Sequence, residues 1–349
     1  MLLLIPLPFL RADQNDHLAI FADPATIWGN GIERLIEEAY RACFRMRIID
    51  GRIMNIRIPF GENHERDFLL DTGWSIVGGG KGTPGILWPV IEEILDSDDF
   101  ARYTATLSDG REQVIIFDIS HQSWHSSRDL HDIARMKAGS YGGLPHRPHV
   151  FSSGRGINEA DVYNYLYSIG HVGMDCSGFV WYVLSYVAQH QSAIDLNRVI
   201  GRTLRIPANA DTSRFIGTSF FNSTSSHIIR VPDRISSLRP ADIILFRGPN
   251  GNMAHAAIIQ SIDMNRGIIR YLQSTDEAPQ HERGVHESFI HFDPAQPDVS
   301  LGSSDLHWTQ QRQAPFPGEQ PSPFSDDGRR YRAFPEHGGG RVVRLRQIR

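Results

Sequence analysis

The sequence has few cysteines and no long apolar run, and each absence excludes a class of protein. Two cysteines among 349 residues cannot form a disulfide framework, so an apolar core has to hold the fold together. No stretch approaches the roughly 20 consecutive apolar residues of a membrane-spanning helix, and we expect no membrane span. The formal net charge of −5 is small for this length and gives no support to nucleic-acid binding.

The N-terminus is apolar but lacks the features of a secretory signal peptide. It has no basic residue before the apolar run, it carries Pro6 and Pro8 within that run, and no small-residue cleavage site follows. We expect residues 1–13 to form a strand or an arm, with a signal peptide as the alternative. The sequence therefore assigns no compartment to the protein.

The two cysteines lie in different sequence contexts. Cys43 falls on the apolar face of a predicted helix over residues 31–44, where a thiol behaves as a small hydrophobic group. Cys176 precedes Val180 and Leu184, whose spacing predicts a buried helix with the thiol in its first turn. Unpaired N–H groups and the helix dipole favour the thiolate at that position, and the thiolate is the nucleophilic form. Cys176 is therefore the candidate nucleophile.

Residues 175–178 have the sequence Asp-Cys-Ser-Gly, and further motifs follow them in order. A predicted strand over residues 238–246 begins Leu-Arg-Pro-Ala-Asp, the next predicted strand carries His255, and a third ends just before Gln273. This set resembles the NlpC/P60 family of papain-like cysteine peptidases, in which Cys, His and a third polar residue follow in the same order. The chain departs from the family at Ala241, where Gly is usual.

The resemblance implies an α+β fold in which the helix bearing Cys176 packs on an antiparallel sheet bearing His255. We place this papain-like NlpC/P60 catalytic domain at residues 140–349, with a long insertion at residues 190–235. A separate N-terminal α+β accessory domain of unknown role is predicted at residues 1–139.

Local patterns predict the other elements. Asp-Gly turns predict two hairpins, and apolar spacing predicts a further helix in the first domain. The Pro- and Gly-rich residues 293–340 are predicted to be irregular, and residues 341–348 to form a strand that closes the catalytic sheet. The predicted hairpins and helix cover these ranges: 45–58, 103–119 and 89–95.

For amide hydrolysis, the resemblance makes Cys176 the nucleophile and His255 its partner in a thiolate–imidazolium pair. The imidazolium would later protonate the leaving amine. Gln273 cannot exchange protons, so its predicted role is to fix the orientation and tautomer of the imidazole. Three neighbours stay open as alternatives for this third position: Ser274, His281 and His286.

The resemblance also implies a substrate class, namely peptidoglycan stem peptides cut between D-γ-glutamate and the diamino acid. Asp175 would meet the free amino group of the stem, and Tyr163 or Tyr167 would shape the pocket. The backbone N–H of Ser177 would help to hold the oxyanion. The family's Tyr-x-x-Gly-Gly segment is not recognisable before Gly173, so the sequence determines the substrate less firmly than the chemistry.

Three other functions stay open: another thiol amidase or acyl hydrolase on the same fold, a delivered antibacterial effector with the same activity, and a peptide-binding module without turnover. A cell-wall substrate would require export or a role in muropeptide recycling. Residues 71–73, Asp-Thr-Gly, lack the second carboxylate of an aspartic protease. His121 and His125 lack the Glu of a zinc peptidase. No motif requires a metal or an organic cofactor.

Overall fold

The computed structural model describes these residues of the chain: 31–49, 52–61, 83–96, 101–106, 112–118, 123–125, 151–152, 162, 166, 173–207, 212–275, 284–310 and 334–348. The helices with described bounds are α1 (Ile32–Arg41), α2 (Pro84–Asp96), α3 (Cys176–Ser192), α4 (Leu196–Thr203) and α5 (Thr218–Phe221). The first six strands are β1 (Phe44–Ile49), β2 (Arg52–Arg57), β3 (Ala101–Thr106), β4 (Glu112–Asp118), β5 (Ser123–His125) and β6 (Phe151–Ser152). The others are β7 (Ile228–Val231), β8 (Ile243–Arg247), β9 (Met253–Asp263), β10 (Ile268–Thr275), β11 (Gly284–His291), β12 (His307–Gln310) and β13 (Arg341–Leu345).

Seven strands form one antiparallel sheet in the order β12-β11-β10-β9-β8-β13-β7. Strands β8, β9, β10 and β11 are neighbours both in sequence and in space, as expected of a meander. Strand β8 and the middle of β9 are nearly continuous apolar runs because both faces of the sheet are covered there. The protein has an α+β fold with a helix packed on an antiparallel sheet, which agrees with the fold class predicted at this coarse level.

Successive side chains of the central strands enter two different cores, one on each face of the sheet. Ala256 and Ile258 of β9 belong to the helix-side core, which includes Val180 of α3. Ala257 and Ile259 belong to the tail-side core, which is built with aromatic and apolar residues near the C-terminus, including Trp308, Phe334 and Val342. The cysteine helix therefore packs on one face of the sheet, and the tail of the chain covers the other.

The last strand, β13, lies inside the sheet between β8 and β7. The prediction that residues 341–348 form a strand of the sheet is confirmed for residues 341–345, and the strand is internal, not at the edge. Val342 enters the tail-side core and Val343 the helix-side core. Arg344 forms a two-pronged ion pair with the fully buried Asp242 at 2.5 and 2.7 Å. Basic side chains of this strand thus have internal partners as well as solvent.

The described part of the predicted accessory domain shares the helix-side core with the cysteine helix. The core contains Ile36 of α1, Ile56 of β2 and Trp88 of α2 together with Phe179 and Leu184 of α3. Helix α1 also packs directly against α3. Apolar groups of these segments are therefore buried in part by residues beyond the predicted boundary at 139, and a separate domain at residues 1–139 stays a prediction. Residues of the range 1–139 that lie outside the described ranges do not bear on this prediction.

A buried ion cluster joins α1 to the sheet. Arg270 of β10 contacts Glu37 of α1 at 2.6 Å and Glu287 of β11 at 2.5 Å, and all three side chains are at most 3% exposed. Arg41 donates to the other carboxylate oxygen of Glu37 at 2.8 Å, and the Arg270 guanidinium lies 5.3 Å from the ring centre of Tyr40. Burial acts to lower the pKa of Arg270, but Glu37 and Glu287 outweigh it and raise that pKa above its ordinary value. We call Arg270, Glu37 and Glu287 the ion cluster.

Residues 58–61 form hydrogen bonds with two parts of residues 140–349. Met174 donates its N–H to the Pro59 carbonyl at 2.9 Å, and Val285 donates to the Ile58 carbonyl at 3.1 Å. The close approach requires glycine at position 173, because a Cβ there would lie 2.5 Å from the carbonyl carbon of Phe60. The segment after β2 therefore fixes both the residues before Cys176 and the start of β11.

Most predicted elements are present, with shifted ends. Both hairpins form, as β1–β2 and β3–β4. The helix predicted over residues 31–44 is α1, which ends at Arg41 because Cys43 accepts a hydrogen bond from Ile58 and the chain turns into the hairpin. The insertion at residues 190–235 contains α4, α5 and β7. The prediction that residues 293–340 are irregular is wrong at β12, which pairs with β11.

Strands β3, β4, β5 and β6 form a separate four-stranded sheet in which β4 pairs with each of the other three. Among the described residues, no helix combines the length and apolar character needed to cross a membrane.

Candidate active site

The candidate nucleophile is the first residue of a well-capped helix. Asp175 has extended backbone angles, and its carboxylate accepts hydrogen bonds from the Gly178 N–H at 2.5 Å and from the Ser177 hydroxyl at 3.0 Å. The cap starts α3 at Cys176, so the thiol lies beside the unpaired N–H groups of the first turn. Cys176 is 8% exposed, which leaves a small opening to solvent. Its thiol lies at the positive end of the helix dipole.

Cys43 is in the opposite situation. It is fully buried in the helix-side core, and its thiol donates to the Ala39 carbonyl at 3.7 Å. Burial raises the pKa of the Cys43 thiol far above its ordinary value. Such a thiol stays protonated and inert, as the sequence predicts for Cys43.

The structure brings His255 and Gln273 together. The Nε2 atom of His255 lies 2.8 Å from Oε1 of Gln273, across the paired strands β9 and β10. His255 is 8% exposed and Gln273 is fully buried, and the imidazole lies 5.5 Å from the ring of Phe246. An amide oxygen can only accept a hydrogen bond, so Nε2 of His255 carries a proton and donates a hydrogen bond to Gln273. The other ring nitrogen, Nδ1, is then the basic one.

The start of the cysteine helix is tied to the strand that carries Gln273. Ser274, the next residue of β10, donates its hydroxyl to the Met174 carbonyl at 2.6 Å. Strand alternation places Ser274 on the helix side of the sheet and Gln273 on the tail side. Cys176 therefore begins the helix on one face of the sheet, and the Gln273 amide that contacts His255 lies toward the other face.

The alternatives for the third position have different locations. Ser274 faces the helix and serves the tether to Met174. His286 lies on β11 opposite Gln273 in the strand register and contacts the Gln273 amide. His281 lies outside the described residues. Gln273 contacts His255 directly.

The predicted substrate-binding residues are only partly described. Asp175 is 4% exposed, and its Oδ1 atom already caps the helix. Ser177 is also 4% exposed, and its hydroxyl donates to that carboxylate. Tyr163 and Tyr167 lie outside the described residues.

Two contacts of Gln273 were not predicted from the sequence: the contact with Ser288 and the contact with His286. Gln273 donates from Nε2 to the Ser288 hydroxyl at 2.9 Å and lies 3.4 Å from Nε2 of His286. Both residues lie in the run Val-His-Glu-Ser-Phe-Ile at residues 285–290. Apolar and polar residues alternate in part of this run, which is the sequence signal for a strand. Its charged member, Glu287, hides the strand pattern because it is buried in the ion cluster.

No group of three or more His, Cys, Asp or Glu side chains suited to a metal ion occurs within the part of the chain that the structure describes. His125 ends strand β5, so its spacing from His121 is not that of two ligands on one helix.

No protein-family model matches the chain, and neither a curated protein nor a solved structure matches it. The chemistry proposed below accordingly rests on the residues of this chain and on the motifs that they form.

Proposed function

We propose that the protein is a cysteine hydrolase that cleaves an amide bond, with Cys176 as nucleophile, His255 as its acid–base partner and Gln273 as the residue that orients the imidazole. The observation that carries the proposal is the 2.8 Å hydrogen bond from His255 to the buried Gln273 amide. Cys176 begins a helix, and the residue before its cap, Met174, is hydrogen-bonded to Ser274, the neighbour of Gln273. A neutral amide in contact with an imidazole has no charge to contribute, and orientation is what it supplies.

The reaction follows from these roles. Nδ1 of His255 takes the thiol proton, and the thiolate attacks the carbonyl carbon to form a C–S bond. The N–H groups at the start of α3, at Cys176 and Ser177, stabilise the oxyanion. The imidazolium gives its proton to the leaving nitrogen, the C–N bond breaks, and an acyl-enzyme remains. Water then attacks the thioester and gives a proton to His255, which restores the thiol and releases the acid.

For the substrate we propose a peptidoglycan stem peptide cut at the γ-D-glutamyl–diamino acid bond. Support comes from the Asp-Cys-Ser-Gly, Pro-Ala-Asp and His motifs, which resemble the NlpC/P60 family of cell-wall endopeptidases. Ala241 occupies the family's glycine position with a backbone φ of 71°, in the left-handed region where glycine is favoured. The backbone thus has the conformation that explains glycine at this position in the family.

A second substrate class is favoured by Asp175. The residue expected to meet the free amino group of the stem is almost fully buried, and one of its oxygens caps α3. A thiol amidase or acyl hydrolase with the same catalytic residues would need no amine recognition at Asp175.

The activation of the thiol is tested by alkylation. At about pH 6 an ordinary thiol is almost entirely protonated, so we expect iodoacetamide to label Cys176 and to spare Cys43. His255→Gln should slow the labelling of Cys176 at this pH, while His307→Gln, which changes an exposed histidine of β12, should not. Equal and slow labelling of both cysteines in the wild type would argue for a binding module without turnover.

The reaction and the substrate are tested together by product analysis. Purified muropeptides and simple thiol-sensitive esters are incubated with the wild type, Cys176→Ala and Cys43→Ala, and the products are identified by mass. We expect a stem-peptide cut that is lost in Cys176→Ala and kept in Cys43→Ala. Ester hydrolysis without any muropeptide cut would favour the second substrate class, and identical products from wild type and Cys176→Ala would reject the mechanism.

A further inference from the structure

We propose that His286 is a positioning residue that fixes the Gln273 amide and, through it, the tautomer of His255. The inference rests on the proposed function only where it names Nδ1 of His255 as the nitrogen that takes the Cys176 proton. The hydrogen-bond chain itself stands on the geometry of β9, β10 and β11.

The Gly284 carbonyl group determines which nitrogen of His286 carries the proton. Nδ1 of His286 lies 3.1 Å from the Gly284 carbonyl oxygen, and because a carbonyl only accepts, Nδ1 carries the proton. In a neutral imidazole the other nitrogen, Nε2, is then an acceptor. His286 is 4% exposed, so its ring is held in this arrangement by the surrounding protein.

The Gln273 amide has one orientation that suits this acceptor. Its NH2 group points to Nε2 of His286 at 3.4 Å and to the Ser288 hydroxyl at 2.9 Å. Its oxygen then accepts from Nε2 of His255 at 2.8 Å. The flipped amide would place its oxygen against the lone pair of His286 and its NH2 group against His255, which would move the His255 proton to Nδ1.

Ser288 cannot make this selection. A hydroxyl both donates and accepts, so it accommodates either end of the amide. The neutral His286 ring accommodates only the NH2 end. Of the two neighbours of the Gln273 NH2 group, His286 is therefore the one that selects the orientation.

The Gly284 carbonyl group is itself held in place by residues 58–59. Gly284 has φ of 139°, and a Cβ there would lie 2.6 Å from the Ile58 carbonyl oxygen. The next residue, Val285, donates to that oxygen at 3.1 Å. Residues 58–59 thereby fix the peptide whose carbonyl orients His286.

The tautomers are read directly by NMR of protein with 15N-labelled histidine, in a Cys176→Ala background in which His255 titrates without the thiol. At about pH 9, well above the ordinary histidine pKa of about 6.5, we expect the proton of His255 on Nε2 and that of His286 on Nδ1. Finding either proton on the other nitrogen would overturn the proposal without any change at position 286.

Matched variants separate His286 from its neighbours. His286→Leu should populate both tautomers of His255, whereas Ser288→Ala and the exposed control His307→Leu should leave Nε2 protonated. A folded His286→Leu protein with the His255 proton entirely on Nε2 would overturn the proposal. If His286→Leu does not fold, the wild-type tautomers decide.

The consequence for activity is measured in the presence of Cys176. We expect His286→Leu to lower kcat/KM about tenfold, the effect of losing one oriented hydrogen bond, and His286→Gln to recover much of this because its amide oxygen can accept from Gln273. If the tautomers are as proposed but Cys176→Ala does not abolish hydrolysis, the proposed function fails and the positioning of His255 stands.

Discussion

Two polar clusters share strands β10 and β11 and lie on opposite faces of them. The ion cluster, with Arg270 and Glu287, faces α1. The neutral cluster of Gln273, His286 and Ser288 faces the tail side and contacts His255. Glu287 lies between His286 and Ser288 in the sequence. Because successive side chains of a strand point to opposite faces, Glu287 joins the ion cluster and its two neighbours join the neutral cluster.

The difference shows what burial does to each type of group. Opposite charges at full burial are stable only while every partner is present, because each isolated charge would carry a large desolvation cost. Such a cluster suits the permanent attachment of α1. Neutral amide, hydroxyl and imidazole groups avoid most of this cost once they are hydrogen-bonded to one another, so this cluster suits holding the His255 imidazole in one orientation.

The largest expected effect is that of removing residues 1–139. This deletion takes Glu37 from the ion cluster and removes α1, β1, β2 and the hydrogen bonds of residues 58–61. We expect residues 140–349 alone to lack a cooperative thermal transition, because the apolar face of α3 loses its cover. Circular dichroism melting and amide NMR dispersion measure this. Cooperative melting of the fragment, with Cys176 labelled as in the full chain, would instead support a separate accessory domain.

The next effect separates buried from exposed ion pairs on one hairpin. Arg270→Met leaves Glu37 and Glu287 buried without their shared cation, and we expect the free energy of unfolding to fall by about 3–5 kcal/mol. The control is Arg266→Met, which removes the surface pair with Asp263 and should cost less than about 1 kcal/mol. Urea denaturation measures both. Similar losses in the two variants would contradict the structural role of the ion cluster.

A smaller loss of stability than that of Arg270→Met accompanies a large loss of activity in the third variant. Gln273→Leu keeps the side-chain volume but leaves the Ser288 hydroxyl and the His255 N–H without the amide, at a cost of about 1–3 kcal/mol. We expect kcat/KM to fall about 100-fold, because the imidazole loses its orientation. Arg266→Met again serves as the control, with full activity. An active Gln273→Leu enzyme would remove Gln273 from the catalytic residues and reopen the third position.

Sequence patterns predicted the local elements well because those elements depend on local chemistry. The Asp-Gly turns specify both hairpins, and apolar spacing specifies the helix of Cys176. The order of Cys176, His255 and Gln273 indicated which residues to compare, and the contact between His255 and Gln273 follows from the register of β9 and β10.

Contacts between residues far apart in the sequence, which no local pattern encodes, cross the predicted boundary of the first domain at residue 139. Composition changes near residue 139, yet Glu37 pairs with Arg270 from 233 positions away. Helix α1 has an apolar stripe that would suit either a domain of its own or a place against α3. The choice between them depends on which surface covers that stripe.

By itself, the sequence determined the secondary structure around the site, the helix-start position of Cys176 and the inertness expected of Cys43, since these follow from spacing and neighbours along the chain. Tertiary structure alone decided that residues 58–61 hold Met174 and Gly284, that β13 lies inside the sheet, and that His286 contacts the Gln273 amide. The physical reason is that hydrogen-bond direction and burial depend on atoms brought together from distant positions, whereas turn, cap and helix preferences depend on residues a few positions apart.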